Sequence, residues 1–402
     1  MKRVVITGIG VVSALGNNAA DFWRALSSGE SGIGPITKVD PANLRFKNAA
    51  EVRGFDPGEH FDDKSLMWLD PFAYFGIVAA REAVADSGIE FNDALRGRTG
   101  VVTGSCLGGK ETEDKLYADL YGENKARFPP TSIPRVMSNA VASHVAMEHG
   151  LTGAAFTLST ACSSANHAIG QAFWLVRQGT LDAAITGGSE APLSLGHLRG
   201  WEAMRVVAQD TCRPFSKDRT GMILGEGGAM FVIENLEHAQ ARGAKIYAEI
   251  AGFGMSADAH HLTMPLASGA AKAMSEALTD GNIDPAQIGY INAHGTATQA
   301  NDVMESAAIR LVFGEHADSI PVSSTKSMHG HALGAAGAIE AAATVLGMHN
   351  GLLPPNINFN EDDPECNINV IKNKALPAEP EAAMSNSFAF GGLNAVLAFK
   401  RF

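Results

Sequence analysis

Short runs of β-branched and aliphatic residues alternate along the chain with longer stretches of helical character. Val4-Val5-Ile6-Thr7, Gly100-Val101-Val102-Thr103, Ala183-Ala184-Ile185-Thr186, Met230-Phe231-Val232-Ile233, Tyr247 to Ile250 and Tyr290-Ile291-Asn292 read as strands. Their continuous apolar character places them in a sheet covered on both faces. Pro71 to Ser87, Ser164 to Gly179, Ala270 to Thr279, Asp302 to Phe313 and Gly337 to His349 read as helices. Residues 383–388 and 395–399 read as two closing strands joined at Gly391-Gly392. The alternation predicts α/β architecture.

No long linker divides the 402 residues. A charged, helix-like segment from Glu234 to Lys245 leads into a new strand, which sets an expected boundary near residue 250, with halves 1–250 and 251–402. Both halves open with a strand ending in Gly-x-Gly, Gly8-Ile9-Gly10 and Gly252-Phe253-Gly254, two short matches that hint at duplication. Neither continues to the third glycine of a dinucleotide fingerprint. The 43 glycines fall singly or in pairs at the ends of apolar runs, where tight strand-to-helix turns are expected.

With 31 Lys+Arg against 43 Asp+Glu the net charge is -12, which argues against a general nucleic-acid or anionic-membrane surface. Met1-Lys2-Arg3 before Val4 to Leu15 mimics a signal peptide, but Gly8, Gly10 and the Val/Ile content favour a buried first strand. No stretch approaches the ~20 apolar residues of a membrane span. Cys106, Cys162, Cys212 and Cys366 are far apart and form no C-x-x-C pair, so neither zinc nor a disulfide framework is indicated and a cytoplasmic location is expected.

Cys162, in Ser159-Thr160-Ala161-Cys162-Ser163-Ser164-Ala165, follows strand-like Phe156-Thr157-Leu158 and precedes the helix beginning near Ser163. A helix N-terminus stabilises a thiolate, and its N–H groups can hold the oxygen of a tetrahedral intermediate. A small core residue is the other reading of a lone cysteine in an apolar stretch. The small neighbours leave room for a substrate and favour reactivity. Two histidines lie in Gly-containing turns after strand-like runs: His294 in Asn292-Ala293-His294-Gly295-Thr296, and His331 in the Lys326 to Gly337 segment. Each alone reads first as a structural histidine, and the two together, with Lys326 five residues before His331, leave the structural and catalytic readings balanced. His329, His331 and His349 raise the question of a metal, but no carboxylate or cysteine completes a set at ligand spacing.

The chain closely resembles the β-ketoacyl-acyl carrier protein synthases, elongating condensing enzymes of fatty-acid and polyketide synthesis. The resemblance rests on residues 5–13, Thr160-Ala161-Cys162-Ser163-Ser164, Asp218-Arg219-Thr220-Gly221, Leu224-Gly225-Glu226-Gly227, His294-Gly295-Thr296, the 326–337 segment and Ser385-Asn386-Ser387-Phe388-Ala389-Phe390-Gly391-Gly392. It implies a thiolase-like fold of two duplicated halves in five αβαβα layers, a homodimer or a heterodimer with a related subunit, and an acyl carrier protein as partner. It implies a catalytic Cys162, His294 and His331, with Lys326 nearby and Glu305 fixing that lysine. The N–H groups of Cys162 and Phe390 would form the oxyanion hole, with Phe390 also the gate. Leu107, Thr296, Thr298, Phe388 and Ala389 fall at substrate positions. Lys64 and Arg205 match carrier-docking cations, with Lys125 and Arg127 as further candidates. The resemblance implies no catalytic cofactor beyond the carrier's phosphopantetheine, and a structural monovalent cation for which Asn292, Glu340 and Asn386 are candidates.

Four departures qualify the resemblance. Ala389 and Leu393 replace the Gly and Thr usual in the gate segment, His329 replaces Thr, the 208–213 loop is short, and Met67 and Trp68 stand where docking cations are usual. They point to a specialised synthase of a polyene or other secondary lipid pathway. A degradative, CoA-dependent thiolase needs a second cysteine where this chain has Phe390-Gly391-Gly392, and a chain-length-determining subunit would lack Cys162. A papain-like peptidase carries its nucleophile in a motif absent here.

Overall fold

The structure, a computed structural model, describes residues 1–123 and 127–402. Ten strands form one sheet: β1 Val4–Ser13, β2 Thr99–Gly104, β3 Ala155–Leu158, β4 Ala183–Glu190, β5 Gly227–Asn235, β6 Ala248–Ala257, β7 Ile288–Asn292, β8 Val322–Ser323, β9 Ala382–Ala389 and β10 Leu393–Lys400. Their order is β8-β7-β9-β10-β6-β1-β5-β4-β2-β3. Numbered from its own first strand, each set of five runs 3-2-4-5-1. The pairing also repeats, with the second strand parallel to the third and fourth, and the other pairs antiparallel. The two sets meet where Val4–Ile6 pairs with Ala248–Ile250. Residue 250 lies inside β6.

Helices α1 Pro71–Ser87, α2 Ser164–Arg177, α3 Leu195–Met204, α4 Ala267–Asp280, α5 Gln299–Phe313 and α6 Ala336–Asn350 complete the framework. Helix α1 covers the outer face of β1, β5 and β4, while α4, flanked by α5, covers β6 and β10. Helices α2 and α6 touch one another and strands of both sets, and so form the middle of five layers. Helix α6 is buried from Ala336 through Met348, as an all-round apolar helix must be. Separate apolar cores fill the middle layer and the two outer ones.

The Gly-x-Gly pairs do not make turns. Strand β1 runs on through Gly8 and Gly10 to Ser13, with a register irregularity between Ile6 and Gly8. A Cβ at Gly8 or Gly10 would come 2.0 Å from the carbonyl oxygen of Ala83 or Ala79 in α1. Gly252 and Gly254 in β6 face Ala277 and Ala273 of α4 at 2.2 and 2.0 Å. In both halves glycine lets a helix lie directly on the strand backbone. The charged segment before the second half also reads differently: Glu234 belongs to β5, and only Leu236–Ala241 is helical. No helix among the described residues is long and apolar enough to cross a membrane.

Candidate active site

Between β3 and α2 the chain turns through Ser159, Thr160 and Ala161 to Cys162. Ala161 has φ +52, a left-handed conformation that costs a non-glycine residue about 1–2 kcal/mol. Side chains hold the turn in place. Ser164 Oγ accepts the Thr160 N–H at 2.9 Å and donates to the Ala161 carbonyl at 2.7 Å, and Ser163 Oγ donates to the Thr160 carbonyl at 2.8 Å. Cys162 thereby reaches the floor of a cavity of about 240 Å³ that His294, His331, Thr296, Thr298, Phe388, Ala389 and Phe390 also line.

The thiol is not a resting thiolate. Burial pushes Cys162 up to about 12; Lys326 pulls in the opposite direction and burial prevails. A thiolate was the expectation at the helix N-terminus; at this sulfur burial is the largest influence. The N–H groups of Cys162 and Phe390 donate to no backbone carbonyl among the described residues.

His294 follows β7, and His331 is held by its backbone, whose N–H donates to the Ile223 carbonyl at 2.7 Å. The two rings meet edge to face at 5.4 Å, and Phe388 stands edge-on to His294 at 6.2 Å. Burial, then the charge of Lys326, holds both imidazoles well below the usual histidine range, so both are neutral. Lys326 Nζ lies 3.4 Å from His294 Nδ1 and donates to the His294 carbonyl at 2.5 Å. An ammonium has no lone pair, so Nδ1 is the acceptor and the ring proton is assigned to Nε2.

The acid that fixes Lys326 is Glu340, not Glu305. Glu305 is already committed, accepting the N–H groups of His294 and Gly295 at 2.8 and 2.7 Å and the Asn386 amide at 3.2 Å. It shapes the His294 turn instead. Glu340 reaches Nζ from α6. His329 faces Thr325 Oγ1 at 2.9 Å and is not among the cavity-lining residues.

Behind Cys162 lies an apolar cluster that includes Leu193, Leu198, Met222, Leu333 and Ala389, with Cys106, Leu107 and Leu393 packed against it. Leu107 packs against this cluster and does not line the mouth. Its loop hangs on a residue that the sequence reading passed over. Glu190, at the end of β4, accepts Ser105 Oγ at 2.9 Å and the N–H groups of Cys106 and Leu107 at 2.7 and 3.2 Å. Burial pushes its carboxyl up to about 7. Also unforeseen were Trp201 on α3, tilted against the Phe390 ring at 6.0 Å, and the 261–265 loop, which forms one wall. None of these carries a motif signal in the sequence.

Phe390 is 36% exposed at the turn between β9 and β10, where Gly391 and Gly392 take φ +83 and +68. Arg205 ends α3, next to Met204 of the cavity wall. Lys64, in the short helix Asp63–Leu66, lines a different groove with Trp68 and Arg81. Arg127 is exposed, and Lys125 lies outside the described residues.

Cys162, His294 and His331 stand together in one cavity, and the chain belongs to the β-ketoacyl synthase family, whose members are condensing enzymes. Residues 1–239 match the β-ketoacyl synthase N-terminal domain and residues 247–360 its C-terminal domain. The chain is 44% identical to nodulation protein E of Rhizobium leguminosarum bv. trifolii, covering 100% of this chain and 99% of the relative. It is 43% identical to 3-oxoacyl-(acyl-carrier-protein) synthase 2 of Coxiella burnetii over the same shares. Among solved structures, the ishigamide ketosynthase/chain length factor superposes with a TM-score of 0.95 at 36% identity, covering 100% of this chain and 99% of that one. A ketosynthase in complex with its type II acyl-carrier protein superposes at 0.90 and 30% identity, over 100% and 99%.

Proposed function

We propose that this chain is a β-ketoacyl synthase that loads an acyl group from a carrier-protein thioester onto Cys162 and extends it with a decarboxylated malonyl unit. The convergence of Cys162, His294 and His331 on one cavity carries this reading. In loading, Cys162 sulfur adds to the thioester carbonyl, the carrier thiol leaves, and the thiol proton passes from Cys162 to the departing sulfur. The oxyanion of that step falls to the N–H groups of Cys162 and Phe390. In extension, malonyl thioester loses CO2 and negative charge collects on its thioester oxygen. Two neutral imidazoles stabilise that enolate as hydrogen-bond donors without taking a proton from it. The enolate carbon then attacks the acyl carbonyl, a carbon–carbon bond forms as the carbon–sulfur bond breaks, and Cys162 sulfur leaves as the thiolate and takes a proton from solvent to return to the thiol.

Supporting parts follow the same reading. Thr296 and Thr298, whose hydroxyls pair at 2.9 Å, line the mouth where a phosphopantetheine arm enters. Lys64 and Arg205 are the carrier-docking cations, and Leu107 limits the acyl chain. Asn292 Oδ1, Glu340 Oε2 and Asn386 Oδ1 are buried without partners, a set of oxygens that fits a structural monovalent cation. β3 ends the sheet and offers an edge to a second copy or a related subunit, and a similar ketosynthase is known in complex with its chain length factor. The halves divide near residue 250. The reduced state that Cys162 needs places the enzyme in the cytoplasm, and Ala389 and Leu393 in the gate mark it as specialised rather than housekeeping.

Mass spectrometry of the protein mixed with an acyl carrier protein charged with a range of acyl chains tests the reading. Wild type gains the acyl mass on Cys162 and Cys162→Ala does not; acylation that survives this change would refute the mechanism.

A further inference from the structure

Trp201 in the cavity wall, and His197 bonded to it, are side chains to which the reaction above gives no work. Trp201 lines the cavity and packs against the apolar cluster behind Cys162, so it touches both compartments that the nucleophile joins. Its indole N–H donates to His197 Nε2 at 2.8 Å, one turn earlier on α3. The other side of the same ring faces Phe390, centroid to centroid at 6.0 Å with 31° between planes. Phe390 is otherwise poorly held, since it is 36% exposed and sits on a turn of two left-handed glycines.

The partner of the indole is suited to its task. Burial, then the charge of Lys110, brings His197 down to about 4, against an opposing pull from Asp114. It is therefore a neutral imidazole, and with Nε2 accepting, its own proton sits on Nδ1. An indole N–H in an apolar wall needs such an acceptor, and an alkyl residue at 197 would leave it unsatisfied. The bond fixes the plane of the Trp201 ring, and the ring plane fixes where Phe390 rests.

We propose that Trp201, oriented by His197, is a positioning residue that docks the Phe390 ring over the cavity, so that access to Cys162 requires breaking the Trp201–Phe390 contact. This rests on the ketosynthase reading only for its second consequence, the timing of loading and condensation. Its first consequence, the accessibility of Cys162, concerns the protein without any substrate. An aromatic pair of this kind shifts the balance between docked and displaced ring by roughly two- to twelvefold.

Iodoacetamide alkylation of Cys162, followed by mass spectrometry on the full chain, reads the first consequence. His197→Ala keeps the Trp201 wall and removes only its anchor, and alkylation is expected to quicken by roughly two- to twelvefold. His197→Gln restores an acceptor oxygen and should return the rate to that of wild type. Trp201→Phe keeps a ring without the N–H and should behave as His197→Ala. With acyl and malonyl carrier proteins, His197→Ala should load Cys162 faster, with no matching rise in the decarboxylation of malonyl, which falls to His294 and His331. Unchanged alkylation in His197→Ala, or no rescue by Gln, overturns the proposal. Loading and decarboxylation falling together would also overturn it, since that is the mark of a structural lesion. If wild type alkylates but takes no acyl group, the ketosynthase reading fails while the docking of Phe390 is still decided by alkylation.

Discussion

Replacing Lys326 by Met removes one half of an ion pair whose side chains are both fully buried. Breaking such a pair from one side costs about 3–5 kcal/mol when the remaining charge stays. Glu340 need not stay charged. Burial has pushed its carboxyl up to about 7 even with the lysine opposing, so without the lysine it rises further and holds a proton at neutral pH. What remains is the lost charge-assisted bond to the His294 carbonyl, about 1.5–3 kcal/mol. A carboxyl raised above its unfolded value of 4.5 keeps its proton in the folded chain while the unfolded chain ionises. Stability therefore falls as pH rises from that value to the folded pKa and levels off above it. In wild type that fall ends near 7; in Lys326→Met it continues to higher pH. Urea unfolding at about pH 6 and about pH 9 should show a small deficit at the lower value and a larger one at the higher. Lys326→Met with Glu340→Gln removes the titrating group and should close most of the gap at the higher pH. A single variant with the pH profile of wild type, or a double variant no more stable than the single one at high pH, would refute the reasoning.

Gly10→Ala should lose about 3 kcal/mol or more by thermal melting, because the added Cβ meets helix backbone at 2.0 and 2.8 Å. Gly122→Ala, with nothing within 4 Å among the described residues and no left-handed backbone, is the comparison and should melt at or slightly above wild type. Glu190 is raised to about 7 with no cation beside it, so it contributes to a decline in wild-type stability from the ordinary carboxylate range up to about 7. Glu190→Gln should melt lower, because its amide faces N–H donors, yet show a shallower decline over that window; an unchanged slope counts against a buried, protonating Glu190.

The elements were legible where burial writes a continuous pattern. The helix expected over Pro71 to Ser87 runs over those residues, bounded by the Asp70 cap, Pro71 and Gly88, and the central helices differ from expectation by a residue or two. Strand ends were not legible, because β1 and β6 continue through glycines that look like turn signals. What makes those glycines necessary is the helix laid across them, and the helix is distant in sequence. The same limit applies to the site. Cys162, His294 and His331 stand in motifs that single them out, and the fold brings them to one cavity, whereas the partner of Lys326 is decided by which of two buried acids has oxygens to spare. Glu190, His197 and Trp201 act through positions that only the folded chain brings to the cavity.

The repeated strand order has a consequence for the site itself. In each half the third strand leads, through a loop, to the helix of the middle layer: β3 through Cys162 to α2, and β8 through His331 to α6. Cys162 and His331 thus occupy corresponding places in the two sets of strands. Each set offers one such place, and the two sets back to back bring the beginnings of two buried helices to one cavity. In the proposed reaction one set supplies the group that carries a chain and the other the groups that steady charge, so catalysis is a property of the seam.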